Sequence, residues 1–292
     1  MKTILSVLFC LMTFSLTAQY NLQLTGVSNA RQLGGYQIGD KCIKSDVLLR
    51  TANLSTATED DIELLEDKYK VAYVFDFRSS YERNLSPDRE LRDCDNIWLP
   101  CLEKSVKAMG SSQQAEPGKK HSAEAMGAAI LENLNQPVMR QMAQGLYQMI
   151  AFDPEVQANY ATFLQRLATL PEGRAALWHC TQGKDRAGCA SAFLLAALGA
   201  DRKLIVEDFA RSNDNYRELV TKLAAAAKEK GHTDEEIEVI YALVGVSIPY
   251  FEQMLDMIDQ RYGSLDNYLT TALKCDDTLR EQLRKRFLSP SR

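Results

Sequence analysis

One segment constrains this chain more than any other: His179-Cys180-Thr181-Gln182-Gly183-Lys184-Asp185-Arg186-Ala187-Gly188. It joins a short apolar run, Ala175-Ala176-Leu177-Trp178-His179, to a long apolar stretch beginning at Ala187. The first reads as a strand and the second as a helix, so the segment is a strand-to-helix turn. Five residues separate Cys180 from Arg186. A loop of that length can wrap its backbone N–H groups around one phosphate-sized dianion. Gly183 lets the backbone bend, and Arg186 can reach back to hold two oxygens bidentately. Cys180 then sits on the floor of an electropositive cup, where amides, helix dipole and Arg186 favour a thiolate. A thiolate there is a nucleophile aimed at a bound phosphoryl group. Lys184 adds charge, and Asp185 is a rim carboxyl suited to protonating a leaving oxygen. Cys-x5-Arg alone recurs by chance, and a lone Cys180 would read as a core cysteine. The cup reading rests on the whole combination of strand, histidine, glycine bend, arginine and apolar helix.

The rest of the chain supplies an α/β frame. Val47-Leu48-Leu49 and Asn96-Ile97-Trp98-Leu99 read as strands, and Val71-Ala72-Tyr73-Val74-Phe75 as a strand buried on both faces. Ser55 to Asp61 reads as a helix start, with capping hydroxyls and acids before Ile62, Leu64 and Leu65. Residues 103–125 are polar and read as a mobile excursion. Residues 126–170 and 187–288 are helical, with Gly199, Gly231 and Gly263 at helix ends. Strands alternating with helices, followed by a helical tail, predict an α/β sandwich.

Composition excludes several classes. With 292 residues, 46% hydrophobic and 25% charged, the chain is globular rather than disordered, collagen-like or multi-span. Lys plus Arg is 34 against 39 acids, a net charge of -5, which disfavours nucleic acid as a partner. Met1-Lys2, the apolar run Ile4 to Leu16, and Leu16-Thr17-Ala18-Gln19 form the pattern of a secretory signal over residues 1–18. The run is too short for a comfortable membrane span, and it lacks the polar face of a buried N-terminal helix. Phe9 before Cys10 argues against a lipidated cysteine. The expected location is exported, periplasmic or secreted. Six cysteines then remain: Cys42, Cys94, Cys101, Cys180, Cys189 and Cys275. Export permits disulfides, but the spacing suggests no framework, and no pair has zinc-ligand spacing.

The ten-residue segment resembles the signature of bacterial tyrosine-protein phosphatases with an HCxxGKDR loop, a group similar to atypical dual-specificity and phosphoinositide phosphatases. Asn29-Ala30-Arg31-Gln32-Leu33-Gly34-Gly35, Leu49-Arg50-Thr51-Ala52-Asn53-Leu54 and Asp76-Phe77-Arg78-Ser79-Ser80-Tyr81-Glu82 resemble further family motifs in the same order. Pro87-Asp88, Leu198-Gly199, Glu207-Asp208-Phe209 to Ser212-Asn213, and Tyr262-Gly263-Ser264 follow. The resemblance spans roughly residues 22–288. It implies a cysteine-phosphatase-like three-layer α/β sandwich with a central, mostly parallel sheet and a helical C-terminal part. One catalytic domain over 19–292 would carry a helical lid insertion near 103–155. It also implies Cys180 as nucleophile, Arg186 as phosphate clamp, Asp185 as general acid, and Thr181, Gln182, Gly183 and Lys184 as the substrate-binding wall. Metal and cofactor are not called for.

Around that centre stand five supporting residues. Asp88 is the runner-up acid, set against a turn acid after Pro87; Asp76 is a weaker candidate at a strand end. Arg78 and Glu82, four apart, are expected to pair with each other. Arg31 either holds a loop or touches phosphate. His179 is expected to hydrogen-bond the loop, His121 and His232 to lie on the surface, and Cys189 to be a core cysteine rather than a redox partner. Ala187 stands where the family has threonine, and Gln32 where it has an acid. The implied substrates are phosphorylated proteins at tyrosine or with dual specificity; the alternative is a phosphoinositide, an inositol phosphate or another small phosphate ester. A non-catalytic cup is disfavoured by the intact Cys180, Asp185 and Arg186, and a rhodanese-like sulfurtransferase by Gly183-Lys184-Asp185-Arg186.

Overall fold

The computed structural model describes residues 21–104 and 123–291. The expected signal, His121 and most of the polar excursion lie outside them. In chain order the elements are β1 (Arg31–Gln32), β2 (Gln37–Ile38), β3 (Lys41–Ile43), β4 (Leu48–Thr51), α1 (Glu59–Glu63), β5 (Val71–Asp76), α2 (Ser80–Leu85), β6 (Asp95–Trp98), α3 (Ala123–Glu132), α4 (Pro137–Phe152) and α5 (Pro154–Ala168). They continue with β7 (Ala175–His179), α6 (Asp185–Leu198), α7 (Arg202–Ala210), α8 (Ser212–Glu229), α9 (Asp234–Leu243), α10 (Ile248–Tyr262), α11 (Leu265–Thr271), α12 (Asp277–Phe287) and β8 (Leu288–Pro290).

The main sheet runs β1-β4-β7-β5-β6, parallel from β4 through β6, with β1 antiparallel. Thr51 and Asp76 both register against His179, so three strand ends meet where the Cys180 loop begins. Successive side chains of a strand point to opposite faces. Ala176 and Trp178 of β7 therefore join Phe75, Phe163 and Phe193 in the larger core, while Ala175 and Leu177 join Leu49, Val74, Ile62 and Leu65 in a second one. Both faces of the sheet are covered, which is why β5 and β7 are buried throughout. Helix α6 is itself enclosed from Arg186 to Leu198, matching its lack of a polar stripe in the sequence.

Two details differ from expectation. The capping box of α1 starts at Thr58 and closes on Asp61, while Leu54–Thr56 forms a separate 3-10 turn. A small sheet, β2-β3-β8, draws the end of the chain back onto β3. The described helices of the expected lid are packed: Ile130, Leu134 and Ala143 build a third core with Tyr216, Val220 and Ile240, and Tyr147, Ile150 and Ala151 enter the main one. Gly199 and Gly263 are left-handed helix caps, and Gly231 follows α8 at φ +82°, as the sequence predicts.

Candidate active site

The Cys180 loop is built by turning its carbonyls outward. The Thr181 carbonyl accepts from Asn53 Nδ2 at 2.8 Å. The Gln182 carbonyl accepts from Tyr216 Oη at 2.9 Å and from Asn29 Nδ2 at 3.2 Å. The Gly183 carbonyl accepts from Asn29 Nδ2 at 2.9 Å and Arg50 Nη2 at 2.8 Å, and the Lys184 carbonyl from Arg50 Nη2 at 3.2 Å. In a planar trans peptide the N–H of the next residue points opposite to the carbonyl. Pinning four carbonyls outward therefore aims the N–H groups of residues 182–185 inward, over the buried Cys180. Gly183 has φ +66°, and a Cβ there would meet the Thr51 carbonyl oxygen at 2.3 Å, so the position requires glycine.

Behind the loop lies a buried charge cluster. Asp208 of α7 accepts from Arg50 Nη1 at 2.8 Å and Tyr36 Oη at 2.9 Å and lies 3.5 Å from Arg31 Nε. Burial raises the Asp208 carboxyl, but Arg31 and Arg50 outweigh it and hold the group below the ordinary range. Arg31 Nη1 also donates to Asn29 Oδ1 at 2.5 Å, orienting the amide that holds the loop. Arg31 thus stands among the residues behind the loop, tied to Asp208, Ser212 and Asn29.

Arg186 is held rigidly at the rim. Its Nη1 and Nη2 donate to Glu82 at 2.7 and 2.6 Å, and Nη2 reaches Thr181 Oγ1 at 3.3 Å. The Thr181 hydroxyl donates to Glu82 in turn. Burial works against the Glu82 carboxylate, yet Arg186 and these hydrogen bonds bring its pKa down to about 2. Glu82 is thus the partner of Arg186 and not of Arg78, correcting the expected pair. Glu82 caps α2 through Ser79, which turns its carboxylate toward the loop instead of back along its own helix.

Arg78 is fully occupied elsewhere. It binds Asp76 through Nε at 3.0 Å and Nη2 at 2.9 Å, the Ser86 carbonyl at 2.6 Å, and Asp88. Asp88 also accepts the Leu54 N–H at 2.7 Å. Asp76 is likewise paired with Arg78. Asp76, Asp88 and His179 bring possible ligand atoms within 4.8 Å of one another, but the Arg78 guanidinium bridges both carboxylates and supplies the cation there. His179 is buried, with Nδ1 3.3 Å from the Cys180 carbonyl. Its Nε2 lies 3.4 Å from Asp88 without hydrogen-bond geometry.

Lys184 corrects a second expectation. Its ammonium donates to the carbonyls of Leu243, Val244 and Gly245 at 2.5, 3.0 and 2.7 Å. It caps the C-terminal end of α9, where carbonyls and helix dipole favour a cation. Lys184 therefore gives the cup its backbone N–H, while its charge is spent on the α9–α10 connection. Asp185 opens α6; its Oδ1 accepts from Tyr147 Oη at 2.8 Å and its Oδ2 lies 3.7 Å from Lys184 Nζ. Ala187 is fully buried, and its carbonyl accepts from Trp178 Nε1 at 3.1 Å. Gln32 Oε1 accepts the Asp46 N–H at 2.6 Å, which gives the residue in the acid's place a structural use.

All six described cysteines are free thiols, and Cys189 is a core cysteine as expected. Burial pushes the Cys101 thiol up to about 12 and the Cys189 thiol well above its ordinary value. His232 lies half-buried against Glu236 at 3.2 Å. Sequence reasoning assigned no role to Arg50, Asn53, Asp208, Tyr147 or Tyr216. The available signal was that Arg50, Asn53 and Asp208 lie inside the motif-like segments quoted above; Tyr147 and Tyr216 sit in ordinary helical contexts.

A parallel sheet whose strand ends carry an amide-lined cup, a buried cysteine and a clamped arginine defines a cysteine-dependent phosphatase. A model described as the tyrosine phosphatase family matches residues 22–289, and the chain belongs to that family. A putative tyrosine-protein phosphatase of Cupriavidus necator is 30% identical over 283 residues, covering 94% of this chain and 91% of that protein. The triple specificity protein phosphatase PtpB of Mycobacterium tuberculosis is 36% identical over 118 residues, 37% of this chain and 43% of that protein. A tyrosine-protein phosphatase of Nostoc commune is 27% identical over 170 residues, 58% of this chain and 49% of that protein. Among the described residues no helix is long and apolar enough to cross a membrane.

Proposed function

We propose that the chain hydrolyses phosphorylated protein side chains, phosphotyrosine foremost, through a phosphocysteine on Cys180. The observation that carries this reading is the set of four outward-pinned carbonyls, which leaves an amide-lined cup over Cys180 beside Arg186. Cys180 attacks phosphorus while Asp185 protonates the departing alcohol or phenol oxygen. Water then attacks the phosphocysteine, Asp185 accepts its proton, and the thiolate leaves. Amides and Arg186 hold the equatorial oxygens through both steps. The name of the Mycobacterium relative supports a range wider than phosphotyrosine. Lys184, the residue that favoured heavily charged small phosphates, is turned to α9, so phosphoproteins remain the first choice.

The test is hydrolysis of p-nitrophenyl phosphate in the presence of a chelator. Cys180→Ser should fall to background, and Asp185→Asn should lose about a hundredfold on an aryl phosphate with a poor leaving group. Full activity in Cys180→Ser would end the phosphocysteine reading. Ranking phosphotyrosine peptides against phosphoinositides and inositol phosphates then decides substrate class.

We also propose export, on the pattern of Met1-Lys2 and the apolar run Ile4 to Leu16. Expressed in a bacterial host, the periplasmic or secreted form should begin near Gln19 or Tyr20 by N-terminal mass analysis. An intact Met1 confined to the cytoplasm would refute it.

A further inference from the structure

We infer that Tyr147 positions Asp185 for proton transfer, so that helix α4 supplies part of the acid machinery as well as packing beside it. The inference rests on the reading of Asp185 as general acid and adds to it a residue from a distant part of the chain.

Three observations carry it. First, the Tyr147 hydroxyl donates to Asp185 Oδ1 at 2.8 Å, across 38 residues of sequence. A buried tyrosine hydroxyl requires a partner, and one with a carboxylate acceptor is strong and directional. Second, Tyr147 cannot wander. Its side chain is buried, and its ring meets the edges of Phe209 at 5.6 Å and Phe251 at 6.2 Å, rings that stack on each other at 3.8 Å. Ile150 and Ala151, one turn on, anchor the same helix in the main core. Third, the two carboxylate oxygens are unequal. Oδ1 is taken by Tyr147. Oδ2 has Lys184 Nζ at 3.7 Å, and that ammonium already serves three backbone carbonyls. Oδ2 is the oxygen left to carry a proton to the leaving group and to take one from water. Burial and the adjacent carboxylate both push the Tyr147 phenol well above its ordinary range, so it stays a donor throughout the cycle.

Tyr147→Phe removes only the hydroxyl and keeps the ring seated against Phe209 and Phe251. Its kcat/KM, which reports the step that expels the leaving group, should fall about tenfold or more on phenyl phosphate. On 2,4-dinitrophenyl phosphate, whose phenolate departs without protonation, it should stay near wild type. Added to Asp185→Asn, Tyr147→Phe should cause no further loss on phenyl phosphate, because it acts through the carboxylate. An equal loss on both esters, no loss on either, or the same loss in the Asp185→Asn background would overturn the inference. Asp185→Asn alone decides the underlying reading: wild-type leaving-group sensitivity there would remove Asp185 as the acid, and the role of Tyr147 with it.

Discussion

Glu82 shows how much one residue's partner decides. Four positions from Arg78, it looks like half of a helical ion pair, but the capping of α2 turns it to Arg186. A guanidinium bound on two nitrogens cannot swing away from the cup, so Glu82→Gln should lower kcat/KM about ten- to a hundredfold through Arg186 alone. The same pair has a pH signature. Glu82 drops from an ordinary 4.5 to about 2 in the folded protein, so the unfolded chain binds the extra proton first. Its contribution is complete above pH 4.5 and fades as pH falls toward 2. At neutral pH, Glu82→Gln should therefore lose about 2 kcal/mol of stability, and the gap to wild type should narrow at pH 3. Urea midpoints at the two pH values check it; a constant gap would mean that Glu82 is not the titrating group. Asp76 and Asp208, also held low, keep the remaining acid sensitivity in both proteins.

At the scale of elements, the chain was legible where a pattern ran long enough or a motif fixed several residues at once. The strand Ala175–His179, the strand Val71–Asp76 and the Gly-capped helices followed from apolar runs and punctuation. Strands β1, β2 and β3 were not legible, since two or three residues hold less than one full alternation. Their existence depends on pairing: β1 with β4, β2 with its neighbour β3, and β3 with β8 at the far end of the chain. The site divides in the same way. Cys180, Gly183 and Arg186 stand in one local loop and were readable from it. Lys184 belongs to that motif too, yet its side chain answers to the end of α9, about 60 residues on. A local motif fixes which atoms the backbone presents. It does not fix the direction of a long flexible side chain, which goes to the nearest uncapped carbonyls.

At the scale of the whole molecule, Asp208 is the joint. Its carboxylate gathers Arg31 from β1, Tyr36 from the turn before β2, and Arg50 from β4, across sequence separations of 158 to 177 residues. Through Arg31 it steadies Asn29, and through Arg50 it fixes the Gly183 and Lys184 carbonyls. One buried acid thus converts correct assembly of three regions into correct shape of the phosphate cup. Replacing it by asparagine keeps the volume and one acceptor but leaves two buried guanidiniums without a counter-charge. Breaking a buried pair in this way costs about 3–5 kcal/mol. Asp208→Asn should unfold at a clearly lower urea midpoint. In its folded state it should also bind inorganic phosphate more weakly, because Arg50 no longer has a fixed anchor and the Gly183 and Lys184 carbonyls lose their hold. Phosphate inhibition of p-nitrophenyl phosphate hydrolysis, read beside the unfolding curve, separates the two effects. A midpoint equal to wild type, with phosphate inhibition unchanged, would show that the arginines hold the cup without Asp208.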